Sequence, residues 1–453
     1  MREKNVRDMT VGSPAKHILL FAIPLLIGNL FQQLYNMVDS VIVGNYVGAN
    51  ALAAVGTCSS LNFLFFSLSS GLAIGIGVLV SQFFGAKQYE KVGLTIANAI
   101  YVLAAASIIV SILGILLAPS LMAMLHTPPE IMGDAVTYLR TTCAGVIAIA
   151  AYNGVSAILR ALGDSKTPLY FLVIASVVNV GLDLLLVLYF GMGVFGVALA
   201  TIVSQAVSAI SCIIYAYRKV SFFKLTRVQM RPDHFLIQKA FKLGVPIALQ
   251  SALIAISCLI LQRVVNSYGA IVMAAFTITS RVEQLIQQPY GSVGAALTTY
   301  SGQNIGAGNL SRVRKGLMQA SIMVLVFTAC MIPVFFFCGK YIVGFFVGEA
   351  DAAVIEMGGN GLKITCLAFF FLSMIYIPRA CLNGCGDTGF SMINGIAEVV
   401  CRVLFSYGFT RIEGIGYWGI WLTSGVTWCI VSIVCWIRYA SGKWKYKGVH
   451  NLK

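Results

Sequence analysis

Charge is scarce in this sequence. Lys, Arg, Asp and Glu together make up 10% of its 453 residues, against roughly 25% in an ordinary soluble domain. That excludes a water-soluble fold. Acids are the scarcer sign, with 16 Asp and Glu against 31 Lys and Arg. Histidine occurs only at His17, His126, His234 and His450, never clustered with cysteine or acids, so no structural metal is expected. The twelve cysteines lie mostly in apolar runs, among them Cys58, Cys143, Cys258 and Cys330. A free thiol there behaves as a small hydrophobe, and no disulfide framework or cofactor is expected. No polar stretch is long enough to form a separate soluble domain.

What is present instead is apolar length. Hydrophobic residues are 58% of the chain, and about 20 of them suffice for one membrane crossing. The runs predict twelve spans: 15–43, 51–84, 93–117, 131–157, 168–190, 193–217, 237–268, 270–303, 316–338, 355–378, 390–410 and 415–437. The fold class is therefore an all-α polytopic membrane protein. The polar N-terminus leads into a span far longer than a signal-peptide core, and is expected to be an uncleaved first helix. An even number of crossings puts both termini on one side, and 24 of the 31 Lys and Arg residues fall on that side, from Arg2, Lys4 and Arg7 through Arg160, Lys166 and Arg379 to Lys453. By the positive-inside rule that side is the cytoplasm. The expected location is the cell membrane, with the bilayer as a partner and no place left for nucleic acid.

The chain also repeats itself. Pro24 and Tyr46 have counterparts 222 residues on, at Pro246 and Tyr268. The stretch from Gln82 through Gly85-Ala86 returns as Gln303 through Gly306-Ala307, Gly163-Asp164 as Gly386-Asp387, and Gly193 and Gly196 as Gly416 and Gly419. The reading is two six-helix bundles of the same orientation, 1–217 and 237–438, related by a pseudo-twofold axis along the membrane normal. A basic linker at 218–236 joins them and a basic tail follows at 439–453. Such halves can rock about a central cavity, and one chain carries a complete pathway, so a functional monomer is expected.

Ionisable side chains are costly at hydrocarbon depth and so mark function. Asp39 in the first span and Asp183 in the fifth sit at similar distances from their outer ends. Tyr35 lies one turn before Asp39 and Asn179 one turn before Asp183, each on its acid's face, and Thr201 in the sixth span reaches comparable depth. Two carboxylates, an amide, a phenol and a hydroxyl supply hard oxygen donors for a small cation, and adjacent carboxylates also share a proton readily. H+ or Na+ is the expected coupling ion. Pro24 removes a backbone hydrogen bond in the first span and supplies a hinge. In the second half the positions of the two acids are taken by Leu261 or Gln262 and by Ser406. That half carries Arg281, Glu283, Glu398 and Arg402 instead, expected as ion pairs Arg281–Glu283 and Glu398–Arg402, with Glu283, Arg281 and Arg402 as candidates for a second polar site.

These residues resemble the multidrug and toxic compound extrusion (MATE) family over almost the whole chain. The marks are Pro24 to Val38-Asp39-Ser40, Gly48-Ala49 to Val55-Gly56, Gln82 to Gly85-Ala86, Arg160-Ala161-Leu162-Gly163-Asp164 to Pro168, Asn179 to Asp183-Leu184, and Gly302-Gln303-Asn304 to Gly308. The resemblance implies an antiporter, not an enzyme, that exports cationic and often aromatic compounds, with its ion site at Asp39, Asn179, Asp183 and Thr201, Tyr35 nearby, and the bend at Pro24. One branch of the family adds acids in the seventh and tenth spans. Residues 248–257 and 369–377 have none, which favours the N-terminal carboxylates.

Two other readings compete. A lipid-linked saccharide flippase wants a basic cavity for its pyrophosphate, and the first, second, seventh and eighth spans offer only Arg263 and Arg281. An intramembrane aspartyl protease is suggested by Gly384-Cys385-Gly386-Asp387. The repeat makes Gly386-Asp387 the copy of a turn at Gly163-Asp164 instead, and Gly and Asp are ordinary turn formers.

Overall fold

In a computed structural model, which describes residues 6–347 and 352–449, apolar length becomes helix almost throughout. Arg2, Lys4, His450 and Lys453 lie outside the described residues. The first half contains α1 (Pro14–Ile42), α2 (Ala49–Gly85), α3 (Tyr89–Met124), α4 (Pro129–Ala144), α5 (Val146–Ala161), α6 (Lys166–Asp183) and α7 (Gly193–Lys219). The second contains α8 (His234–Asn266), α9 (Ala270–Gly306), α10 (Leu310–Val347), α11 (Ala352–Gly384), α12 (Gly389–Phe409) and α13 (Gly419–Ala440). Ten of these segments, α1, α6 and α13 counted with the short turns that adjoin them, are long and apolar enough to cross a membrane, and α4 with α5 makes an eleventh. The twelfth expected span is α9, which carries Arg281, Glu283 and several glutamines.

The span expected at 131–157 is broken. Its parts α4 and α5 meet at 43°, with Gly145 at the joint. A Cβ there would collide with Ile202 of α7, so the glycine lets α7 come close at the bend. Several helices also outrun their expected ends, α10 by the widest margin, because a helix continues past its apolar stretch until a turn stops it.

The repeat is visible in three dimensions. Gly163 and Gly386 both take left-handed backbone, with φ of +91° and +87°, in equivalent turns after α5 and α11. The Asp387 carboxylate is buried and held by Arg438, at 2.7 Å from Nε and 2.9 Å from Nη2. Asp164 instead caps α6, accepting from Lys166 N–H and Thr167 N–H. Both acids are structural, which disposes of the protease motif.

The halves meet where glycine permits it. Gly71 and Gly75 of α2 lie against Ala248 and Gly244 of α8, so closely that a Cβ on either glycine would come within 2.5 Å of the facing backbone nitrogen. This is the small-residue spacing that lets membrane helices approach along their backbones. Nearer the end that carries both termini, α2 crosses α9. A Cβ at Gly85 would overlap the Gln303 carbonyl oxygen, and one at Gly306 the Gln82 carbonyl oxygen.

The two glutamine side chains complete this seal in matching fashion. Gln82 donates to Gly384 O at 2.9 Å and accepts from Val449 N–H at 3.1 Å. Gln303 donates to Ala161 O at 2.9 Å and accepts from Met9 N–H at 2.8 Å. Each half's terminal segment is thus tied to the crossing. Toward the other end the halves part: before Ser67, the buried residues of α2 are Ala51, Ala54 and Cys58, all packed within the first half.

Candidate functional site

Above the seal lies a central cavity of about 530 Å³, walled by both halves. Pro24, Gly28 and Tyr35 of α1, Thr201 of α7, Gln250 of α8, Ser292 of α9 and Tyr376 of α11 all face it. Helix α1 spans the two halves here, packing on α6 at Gly28 against Leu169 and Leu172 and reaching α9 where Asn29 Nδ2 donates to Ser292 Oγ at 3.3 Å. It runs unbroken through Pro24, whose missing N–H leaves the Leu20 carbonyl without its helical donor.

The acids expected from sequence come together. Asp39 and Asp183 lie near enough to act on each other electrostatically, with Asp183 fully buried and Asn179 1% exposed. Five of their side-chain polar atoms, Asp39 Oδ1, both Asp183 oxygens and both Asn179 amide atoms, are buried with no hydrogen-bond partner among the described residues. Buried polar atoms are normally satisfied, which sets this cluster apart from the rest of the interior. Tyr35 and Tyr138 of α4 lie in the electrostatic neighbourhood of both carboxylates. Thr201 lies on the cavity wall, as Tyr35 does, with its hydroxyl donated to Val197 O at 3.1 Å.

Sequence reading missed Tyr138, which lies far from either acid along the chain. It also missed the backbone around them. Helix α1 passes into a π-helical turn, Val43–Val47, four residues after Asp39, and α6 passes into another, Leu184–Tyr189, directly after Asp183. The two turns pack against each other. Wide turns of this kind re-aim side chains and recur at functional sites.

The second half differs. Arg402 Nη2 bonds Glu398 Oε1 at 2.9 Å as expected, one turn apart on α12, and Nη1 reaches Cys258 Sγ at 2.9 Å. The Arg281–Glu283 pair does not form. Two residues along a helix point to opposite sides, and Arg281 is exposed while Glu283 is buried beside Thr365 and Arg402. None of Glu283, Arg281 and Arg402 lines the cavity.

Arg402 Nε already lacks a partner. Truncation by Glu398→Ala leaves the guanidinium buried without its acid and is expected to cost about 3 kcal/mol. A clear fall in the melting temperature of the detergent-solubilised protein measures this, and an unchanged melting temperature would remove the structural role.

Arg160 and Arg379, counted by the sequence on the side of the termini, both line the cavity. Arg160 is in the last turn of α5 and Arg379 about one turn before the end of α11, and each turns its side chain to the cavity.

A twelve-helix bundle of two repeats around a cavity, with a buried carboxyl pair beside it, defines a membrane transporter. The chain belongs to the MatE family, whose sequence pattern matches residues 24–185 and again residues 246–408. It is 32% identical over 442 residues to the "Probable multidrug resistance protein YpnP" of Bacillus subtilis (strain 168), covering 97% of each chain. It is 25% identical to YoeA of the same organism, another "Probable multidrug resistance protein", over 88% of each. Among solved structures, the outward-facing conformation of a multidrug resistance MATE family transporter of the MOP superfamily superimposes with a TM-score of 0.90 at 22% identity, over 97% of this chain and 99% of that one. The likeness of fold is with a transporter, not an enzyme.

Proposed function

We propose that this protein exports cationic or amphiphilic organic compounds across the cell membrane in exchange for H+ or Na+, by alternating access. The observation that carries the reading is the pair Asp39–Asp183, whose oxygens are buried and unsatisfied, one turn beyond Tyr35 on the wall of a cavity shared by both halves. The names of the relatives support multidrug export. The ion enters as substrate. Its charge, or a proton on one carboxylate, relieves the repulsion between the two acids.

Helix α1 transmits that change. It holds Asp39 and Tyr35 at one end and Pro24 at the cavity wall, so a shift at the acids acts on the wall through the weakened backbone at Pro24. The end bearing the termini is the cytoplasmic one in this reading, on the strength of its Lys and Arg residues. The seal at Gly85 and Gly306 then closes the pathway on the cytoplasmic side, and the two halves of one monomer complete it.

Purified protein in liposomes, loaded with a fluorescent organic compound, tests the reading under an imposed pH gradient and, separately, a sodium gradient. Movement driven by one of them names the ion. Movement unaffected by either would overturn ion-coupled exchange.

A further inference from the structure

The charge on the cavity wall is all of one sign. Among the described residues that line it, Arg160 and Arg379 are the only ones with a formal charge. None of the four carboxylates Asp39, Asp183, Glu283 and Glu398 is on the wall. Other inward-facing arginines in this protein are neutralised, Arg402 by Glu398 and Arg438 by Asp387. These two are not. Arg160 makes no hydrogen bond or ion pair among the described residues. Arg379 lies over the Tyr376 ring, 4.9 Å from its centroid, and meets the Gln250 amide, whose oxygen, turned toward it, accepts from Nη1 at 2.8 Å.

The donors continue along the same faces. Asn153 lines the cavity seven residues before Arg160 on α5, hence on the same side of the helix. Its Nδ2 is buried with no acceptor among the described residues. The helices α5 and α11 are equivalent in the repeat, where Ser156 corresponds to Arg379 and Arg160 to Asn383. Each half therefore contributes one guanidinium to the same cavity from a matching wall.

Half-buried guanidinium groups without an acid are costly to hold, and a planar fork of donors fits a carboxylate or phosphate well. The rest of the wall includes Ile74, Val78, Leu172, Ile247 and Ile254, and the cavity is of a size that takes a drug-like molecule. Building on the exporter reading above, we propose that the compound carried has an anionic polar end, held between Arg160 and Arg379, and an apolar body lying on the aliphatic wall. The substrate is an anionic or zwitterionic amphiphile, not a bare organic cation.

Fluorescence anisotropy with two xanthene dyes, 5-carboxyfluorescein and rhodamine 6G, tests this on the purified full chain. Carboxyfluorescein is expected to bind the more tightly. Arg160→Gln and Arg379→Gln should each weaken it by about tenfold or more and leave rhodamine 6G binding equal or stronger, while Arg160→Lys should recover part of the loss. Displacement of carboxyfluorescein by farnesyl pyrophosphate but not by farnesol supports the same anion site, with a lipid-linked anion as its occupant. Tighter binding of rhodamine 6G, or binding of neither dye, overturns the proposal, and this comparison needs only the unaltered protein if a variant fails to fold. Arginine-dependent dye binding without gradient-driven flux would sink the antiport reading alone. Gradient-driven rhodamine export without carboxyfluorescein binding would sink this inference alone.

Discussion

Asp183→Asn is expected to abolish gradient-driven export while leaving a folded protein that still binds its dye. The amide keeps the shape of the carboxylate but neither accepts a proton nor offers a charge to Na+. The group it joins already has five buried polar atoms without partners, so no existing hydrogen bond is lost. Removing one of two neighbouring carboxylates also relieves their repulsion, and the melting temperature should stay level or rise. Asp39→Asn is expected to behave alike, since the two acids belong to one cluster. Flux under an imposed gradient, set against dye binding in the same preparation, separates lost coupling from lost folding. Normal driven export in both variants would remove the carboxyl pair from the mechanism.

Valine at Gly85 or Gly306 is expected to prevent closure of the end that carries the termini. A Cβ at either position overlaps a carbonyl oxygen of the opposite half. A main-chain atom cannot swing aside as a side chain can, so the crossing must separate. Overpacking of this kind costs about 1–3 kcal/mol, enough at the upper end to shift a two-state balance ~150-fold. Spin labels at the exposed Gln88 and Asn309, just beyond α2 and α9, report the separation. The labelled pair should move from a short distance to a longer one, with export lost. Gly389→Ala, in open space at the same end, should change neither. An unaltered distance in Gly85→Val would show that the crossing yields without opening.

The two sets of residues differ in how readable they were. Asp39 and Asp183 stood out because an acid in an apolar run is expensive wherever the helix finally packs, and equal depth follows from counting residues at a fixed rise. The pairing of Glu398 with Arg402 followed from one-turn spacing. The seal was half legible: Gln82 and Gln303 were found as copies of one another, but that each binds the opposite half and a terminal segment depends on how the halves cross. The glycines at 71, 75 and 244 read as ordinary members of a Gly-rich chain until α2 and α8 were set against each other.

That Arg160 and Arg379 face the cavity was not legible for a related reason. Position along a span places a charge in depth but not in direction, and near a helix end the same residue serves the membrane surface or the cavity according to rotation. Tyr138 was invisible because it belongs to another helix, and the break at Gly145 because an apolar stretch of adequate length gives no sign of its bend.

By itself the sequence determined that this chain lives in a membrane, crosses it in two repeated sets of six helices and carries two acids at one depth. Those properties rest on hydropathy, rise per residue and the cost of burying charge, which are local and additive along the chain. Only the tertiary structure decided that the acids come near one another, that backbone crossings close the end bearing the termini, and that two arginines without an acid face the cavity. Those properties depend on helix rotation and on approach between distant segments, and neither is encoded in any one stretch of residues.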